Sequence, residues 1–271
     1  MSLIENIKNN YKTPHHIPFK LIKKIEILIG KISYNYNFFF NKQNQIFDKL
    51  QLNRIVGLKK LNKIKKEYSF FDKRPMESEH EVLFSSISLS IKYNIKEILE
   101  IGTFDGVNAY LLSELFKNSN IETIDLETSK DDFTKYYNRK NINEFISKRN
   151  NILKKKRNIF FKEKNSIHNI NNKKKYDLIW IDGAHGYPMI SIDIINSINL
   201  INKNGLIICD DVFIKKIKSD KMYNSTAAFE TLSELQKEKL INLTLIYKRL
   251  DPDSNSVEKY RQFIAIIEKN F

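Results

Sequence analysis

The chain of 271 residues carries 46 Lys and Arg against 32 Asp and Glu, a formal charge of +14, with 41% hydrophobic and 12% aromatic residues. That apolar content can close a core and excludes a wholly disordered chain, while seven glycines and five prolines exclude collagen-like and linker-like classes. The single cysteine, Cys209, excludes an intrachain disulfide and a Cys-based zinc site, so a reducing compartment, the cytoplasm, is the expected location.

Most of the basic residues are lysines. Runs such as Lys154 to Arg157 and Lys173 to Lys175 lie beside asparagines, without the interleaved aromatics of a base-reading surface. This is the pattern of a solvated face, and nucleic acid is not an expected partner.

In chain order, the N-terminus carries Glu5 and lacks a continuous apolar stretch, so it does not read as a secretory signal. His15 and His16 fall in a polar, proline-containing stretch expected to be surface loop. Apolar residues then recur at three- and four-residue spacing (Ile22, Ile25, Leu28, Ile29; Leu58, Leu61, Ile64), which predicts a helical arm over residues 1–75. The segment from Ile25 to Phe40 is broken by Glu26, Gly30 and Lys31, too interrupted for a membrane span. The arm is expected to cover the active site or to form a homodimer interface, with contact to an anionic membrane ranked third.

From Lys73 to Met76 onward the pattern changes. Short apolar runs (EILEI at 97–101, IETIDL at 121–126, IFFK at 159–162, YDLIWI at 176–181, GLIICD at 205–210) alternate with helix-length intervals. This predicts an α/β domain over residues 76–271 with a parallel sheet covered on both faces. A helix from Thr226 to Lys237 is followed by NLTLIYKRL and RQFIAII around the turn sequence DPDSNS, a hairpin-like ending that leaves the last strand antiparallel.

Five of the seven glycines (102, 106, 183, 186 and 205) flank the ends of these strands, where backbone must bend or approach a ligand. After the first strand, Glu100-Ile-Gly102-Thr103-Phe-Asp-Gly106 forms a glycine turn between strand and helix. Its spacing is G-x-x-x-G, which does not satisfy the dinucleotide fingerprint and argues against a nicotinamide enzyme. The second strand ends on Asp125 about 20 positions on, where a carboxylate suits ribose hydroxyls. The fourth and fifth strands end in WIDGAHGY and ICDD, placing Asp182, Asp210 and Asp211 at strand tips that open into the ligand crevice of such a sheet. Three converging acids suit a hard divalent cation.

ILEIGTFDG resembles the first motif of the class I S-adenosylmethionine-dependent methyltransferases. The section from YDLIWIDGAHGY to ICDDVF is similar to their metal-dependent small-molecule O-methyltransferase branch, catechol-type enzymes and, more nearly, macrocin-type sugar O-methyltransferases. The resemblance covers residues 74–271. It implies a Rossmann-like, doubly wound sheet of seven strands, mostly parallel, with the helical arm added in front.

It further implies S-adenosylmethionine held by Glu100, Gly102, Thr103, Gly106, Asp125, Asn165, Ser166 and Asp182, and magnesium or another divalent cation on Asp182, Asp210 and Asp211. The acceptor is then a small-molecule hydroxyl, on a sugar or other diol, with Asp182 or His185 as catalytic base. Two other readings stand beside it: an RNA methyltransferase using the basic surface, and a methyltransferase-fold hydroxylase or binding protein that transfers no methyl. His80, His168, Trp180, Tyr187 and Cys209 are weaker candidates, Trp180 and Cys209 being expected in the core.

Overall fold

The computed structural model describes residues 17–68, 71, 78–128, 141–171, 173–216 and 225–270. His15, His16 and the boundary at Lys73 to Met76 lie outside the described residues.

Seven strands form one sheet: β1 (Glu97–Ile101), β2 (Asn120–Asp125), β3 (Ile159–Glu163), β4 (Tyr176–Ile181), β5 (Ile201–Val212), β6 (Ile241–Tyr247) and β7 (Phe263–Lys269). The strand order is β3-β2-β1-β4-β5-β7-β6. Pairing is parallel from β3 through β5, and β7 runs antiparallel between β5 and β6. The expected antiparallel last strand is therefore present, as the second arm of a hairpin with Ile241 opposite Lys269 and Tyr247 opposite Phe263. The strands read as near-continuous apolar runs because both faces are covered. Ile98, Leu99, Leu178, Ile179, Trp180, Ile181, Ile207, Ile208 and Cys209 are all buried.

The helices are α1 (Ile17–Ile32), α2 (Tyr36–Lys49), α3 (Arg54–Glu67), α4 (Glu79–Ile87), α5 (Val107–Leu115), α6 (Ile142–Leu153), α7 (Met189–Leu200), α8 (Ala227–Lys237) and the short α9 (Pro252–Asn255). Asn35 and Asn53 cap α2 and α3 through side-chain oxygens that accept the N–H groups of Phe38 and Val56.

Helices α2 and α3 enter the main core. Phe47, Leu50, Leu52, Leu61 and Ile64 pack in one cluster with Phe84, Ile98, Leu111 and Trp180. Close contact is built in at Gly57, where a Cβ would lie 2.1 Å from the Ser86 hydroxyl. Helix α1 behaves differently. Glu26 on one side bonds Lys259 and Tyr260, while Leu21, Ile22, Ile25, Leu28, Ile29 and Ile32 stay exposed on another. Among the described residues no helix is long and apolar enough to cross a membrane.

Candidate active site at the strand tips

The strand order reverses between β1 and β4, which is where an open α/β sheet has its ligand crevice. Two tips meet there. The Asp182 N–H donates to the Ile101 carbonyl at 2.8 Å, and Gly102 stands against the Asp182 backbone. A Cβ on Gly102 would fall 2.2 Å from the Asp182 carbonyl oxygen, and Gly102 has φ +101°. Glycine is required here on two counts, space and dihedral.

From Gly102 to Gly106 the loop turns tightly: Phe104 has φ 50° and Gly106, the N-cap of α5, has φ 76°. A phenylalanine in the left-handed region is strained. The conformation is secured by its N–H, which donates to Asp125 Oδ2 at 2.8 Å. Asp125 Oδ1 accepts the Leu126 N–H at 2.8 Å. The Asp125 carboxylate thus ties the glycine loop to the β2 tip.

The predicted cofactor residues divide into two sets. Gly102, Gly106, Asp125 and Asp182 lie at the tips of β1, β2 and β4; Asn165 and Ser166 follow the β3 tip, where the Lys164 N–H donates to the Asp125 carbonyl at 2.7 Å, with Asn165 Oδ1 accepting the Ile167 N–H and Ser166 bonded to Asp193. Glu100 and Thr103 lie beneath the loop instead, buried at 0% and 1% exposure. Glu100 accepts from Asn108 Nδ2 at 2.8 Å and from the Thr123 hydroxyl at 2.5 Å, and the hydroxyls of Thr103 and Thr123 lie 2.6 Å apart. This network ties the glycine loop to β1, β2 and α5, so both residues support the crevice from below.

The acids at the tips of β4 and β5 do come together, but their oxygens are not arranged as expected. Lys248, the residue after β6, places its Nζ 2.6 Å from Asp210 Oδ2 and 2.6 Å from Asp211 Oδ1. Gln262 Nε2 also donates to Asp211 Oδ1, at 3.0 Å. His185 Nε2 lies 3.5 Å from Asp182 Oδ1 and 3.7 Å from Asp211 Oδ2. Neighbouring residues of a regular strand point to opposite faces. Asp210 and Asp211 reach the same ammonium because Asp211 has φ 52° and the β5–β7 register shifts between Cys209 and Val212.

The electrostatics follow from this crowding. Burial together with the charges of Asp210, Asp211 and Glu100 raises the Asp182 carboxyl well above the usual range, with Lys248 opposing. Burial by itself would lower the Lys248 ammonium, but Asp210, Asp211 and Asp182 outweigh it and raise it. Among the described residues no group of three or more His, Cys, Asp or Glu side chains is arranged to hold a metal ion. The residues as placed therefore do not fit the three-acid magnesium site expected of Asp182, Asp210 and Asp211. One oxygen of Asp210 and one of Asp211 meet the Lys248 ammonium, and Asp182 Oδ1 faces His185.

Trp180 is core, as expected, and His80 stacks on it with centroids 4.9 Å apart while Nδ1 lies 2.7 Å from the Ser78 hydroxyl. Cys209 is fully buried and burial pushes its thiol up, which suits packing and not nucleophilic attack. Tyr187 and His168 are exposed.

Residues 99–212 match a family model described as a methyltransferase domain. The match begins within β1 and ends with β5, so it contains the glycine loop, Asp125, Asp182, His185 and the Asp210–Asp211 pair. No curated protein matches the chain. Solved structures share the fold at low identity. The O-methyltransferase TomG from Streptomyces achromogenes, in complex with SAM, aligns at 14% identity and TM-score 0.52, covering 85% of this chain and 98% of that one. A protein described as a caffeoyl-CoA O-methyltransferase from Staphylococcus aureus aligns at 19% identity and TM-score 0.51, covering 77% and 91%. The SAH-bound methyltransferase PaMTH1 from Podospora anserina aligns at 16% identity and TM-score 0.50, covering 80% and 88%. The methyltransferase resemblance read from ILEIGTFDG is borne out, as is the Rossmann-like sheet with its reversed strand.

Sequence reasoning missed Lys248, Gln262 and Thr123. It also missed Asp193 on α7, which is 1% exposed and raised by burial to a pKa of about 6, against a hydrogen bond from Ser166 that lowers it.

Proposed function

We propose that this protein transfers a methyl group from S-adenosylmethionine to a hydroxyl of a small molecule, a sugar or another diol. The observation that carries the reading is the juncture of Gly102 with Asp182: one strand tip forms the glycine turn, and the adjoining tip presents a carboxyl raised well above its ordinary range. Cofactor and proton acceptor thus share one crevice.

The residues present suit that cofactor. Gly102 and Gly106 let the loop fold back without a Cβ, the Asp125 carboxylate at the β2 tip is the residue that would meet the ribose hydroxyls, and Asn165 and Ser166, just after β3, are those that would meet the base. Bound there, S-adenosylmethionine would supply an electrophilic methyl to the acceptor oxygen, with the thioether sulfur as leaving group, and Asp182 is the residue that would take the hydroxyl proton.

Asp182 is the better placed acceptor, since its side chain reaches solvent more than that of His185 (36% against 8% exposed) even though surrounding protein desolvates its carboxyl. A carboxyl held above its ordinary pKa is also a stronger base once ionised. His185 Nε2 lies beside it, 3.5 Å from Asp182 Oδ1. Two acceptors side by side match two neighbouring hydroxyls, which favours a diol over an isolated amine. Magnesium assistance does not enter, because Asp210 and Asp211 each give an oxygen to Lys248.

The test is transfer of labelled methyl from S-adenosylmethionine to a panel of sugars, catechols and RNA. Labelling of a hydroxylated small molecule that disappears with Asp182→Asn supports the reading. Labelling of RNA alone would overturn it.

A further inference from the structure

We propose that Lys248 is a built-in cation for the acid cluster, occupying the position between Asp210 and Asp211 that a divalent ion would need, so that this site works without added metal. The proposal rests on the assignment of the crevice to methyl transfer only for its meaning in turnover. The occupancy itself is independent of that reading.

The geometry is specific. Both contacts are 2.6 Å, just under the usual range of a charge-assisted N–H···O bond, and the side chains of Lys248 and Asp210 are only 8% and 4% exposed. A buried ammonium persists only with such compensation. Lys248 is also fixed from behind. Its N–H donates to the Gln262 carbonyl at 2.9 Å, and its carbonyl accepts the Glu79 N–H at 2.9 Å. One residue earlier, Gln43 bonds both the N–H and the carbonyl of Tyr247 at 3.0 Å. The ammonium is thus the end of a clamped strand and not a mobile surface chain.

The acids are shaped to meet it. Asp211 adopts φ 52° at the break in β5–β7 register, which turns two successive carboxylates toward one point. Asp210 Oδ1 is buried and accepts no hydrogen bond among the described residues. With the ammonium in place, a divalent cation at the same carboxylates meets like charge at contact range. With the ammonium gone, three acids at adjoining strand tips are left without their counter-charge.

Titration with Mn2+, read by the electron paramagnetic resonance of free ion without cofactor or acceptor, tests this directly. Wild-type protein is expected to take up no ion sensitive to Asp210→Asn, whereas Lys248→Met is expected to bind Mn2+ at least ~10-fold more tightly than wild type. Lys248→Met should also melt below wild type, with Mn2+ raising its Tm and not that of Lys248→Met/Asp210→Asn. Should Lys248→Met fail to fold, the wild-type titration still decides. Uptake of Mn2+ by wild type that Asp210→Asn abolishes would overturn the proposal, and so would turnover lost on chelation and restored by magnesium. Failure of methyl transfer with no Mn2+ uptake would instead count against the proposed reaction alone.

Discussion

Gly102 and Asp182 close on one another where the strand order reverses, with 2.2 Å between the position of a Gly102 Cβ and the Asp182 carbonyl oxygen. The glycine turn after β1 and the tip of β4 are thereby one mechanical unit. Gly102→Ala must displace backbone on the β4 tip and also hold an L-residue at φ +101°. It is expected to cost about 2–5 kcal/mol in urea unfolding and to weaken S-adenosylhomocysteine binding with it. A variant with unchanged stability and affinity would show that the two tips are not in contact.

Asp182→Asn should lower kcat roughly 100- to 10,000-fold while leaving S-adenosylhomocysteine affinity intact, because the amide cannot take a proton. In wild type the carboxyl is raised well above its usual range by burial and neighbouring acids. The ionised, competent form therefore accumulates only as pH rises past that raised value. The acid limb of the kcat/KM profile should lie above the usual aspartate range and vanish in the variant. An acid limb unchanged in Asp182→Asn would assign the proton to another group, His185 first.

Asp193 gives a stability effect of definite sign. Its pKa rises from 3.8 to about 6 on burial, and its Oδ1 accepts no hydrogen bond among the described residues. The folded state thus holds the proton more tightly than the unfolded chain. Stability from this group is present in full below about pH 4 and is lost as pH rises to about 6. The loss amounts to about 3 kcal/mol. Asp193→Asn should remove that pH dependence and raise Tm at pH 7, as measured by calorimetry across pH 4 to 8. A steeper slope in the variant would contradict the assignment.

The N-terminal arm is tied to the catalytic half through a buried ion pair. Arg54 Nε and one terminal nitrogen each lie 2.7 Å from an oxygen of Glu79, and Gln43 bridges Glu79 to Tyr247. Removing one partner strands the other charge in the interior, so Arg54→Met should cost about 3–5 kcal/mol. Because Glu79 also donates its N–H to Lys248, the variant should lower activity as well as Tm. Equal stability of Arg54→Met and wild type in denaturant would show the pair to be dispensable.

The strands were legible because a doubly covered parallel sheet demands unbroken apolar runs: EILEI and YDLIWI in the sequence are β1 and β4 residue for residue. The glycine turn and the Asp210–Asp211 pair were equally visible, since scarce glycines and acids at apolar run ends stand out. What the acids bind was not. Lys248 is one of many lysines in a chain of charge +14, and nothing local marks the one whose strand carries it to the acids 37 and 38 residues earlier. Glu100 looked like a crevice residue because it precedes the turn, yet strand alternation points it at Thr123 and Asn108. Gln43, Arg54 and Glu79 were illegible for the same reason as Lys248, a partnership made by packing across the chain.

The most direct measurement is calorimetric titration with S-adenosylhomocysteine of wild type, Asp125→Ala and Lys248→Met. The account predicts one-to-one binding by wild type, affinity lowered roughly tenfold or more in Asp125→Ala through loss of the ribose acceptor, and near-wild-type affinity in folded Lys248→Met. Absence of binding by wild type, or binding that Asp125→Ala leaves unchanged, would contradict the assignment of the crevice between β1 and β4 to this cofactor.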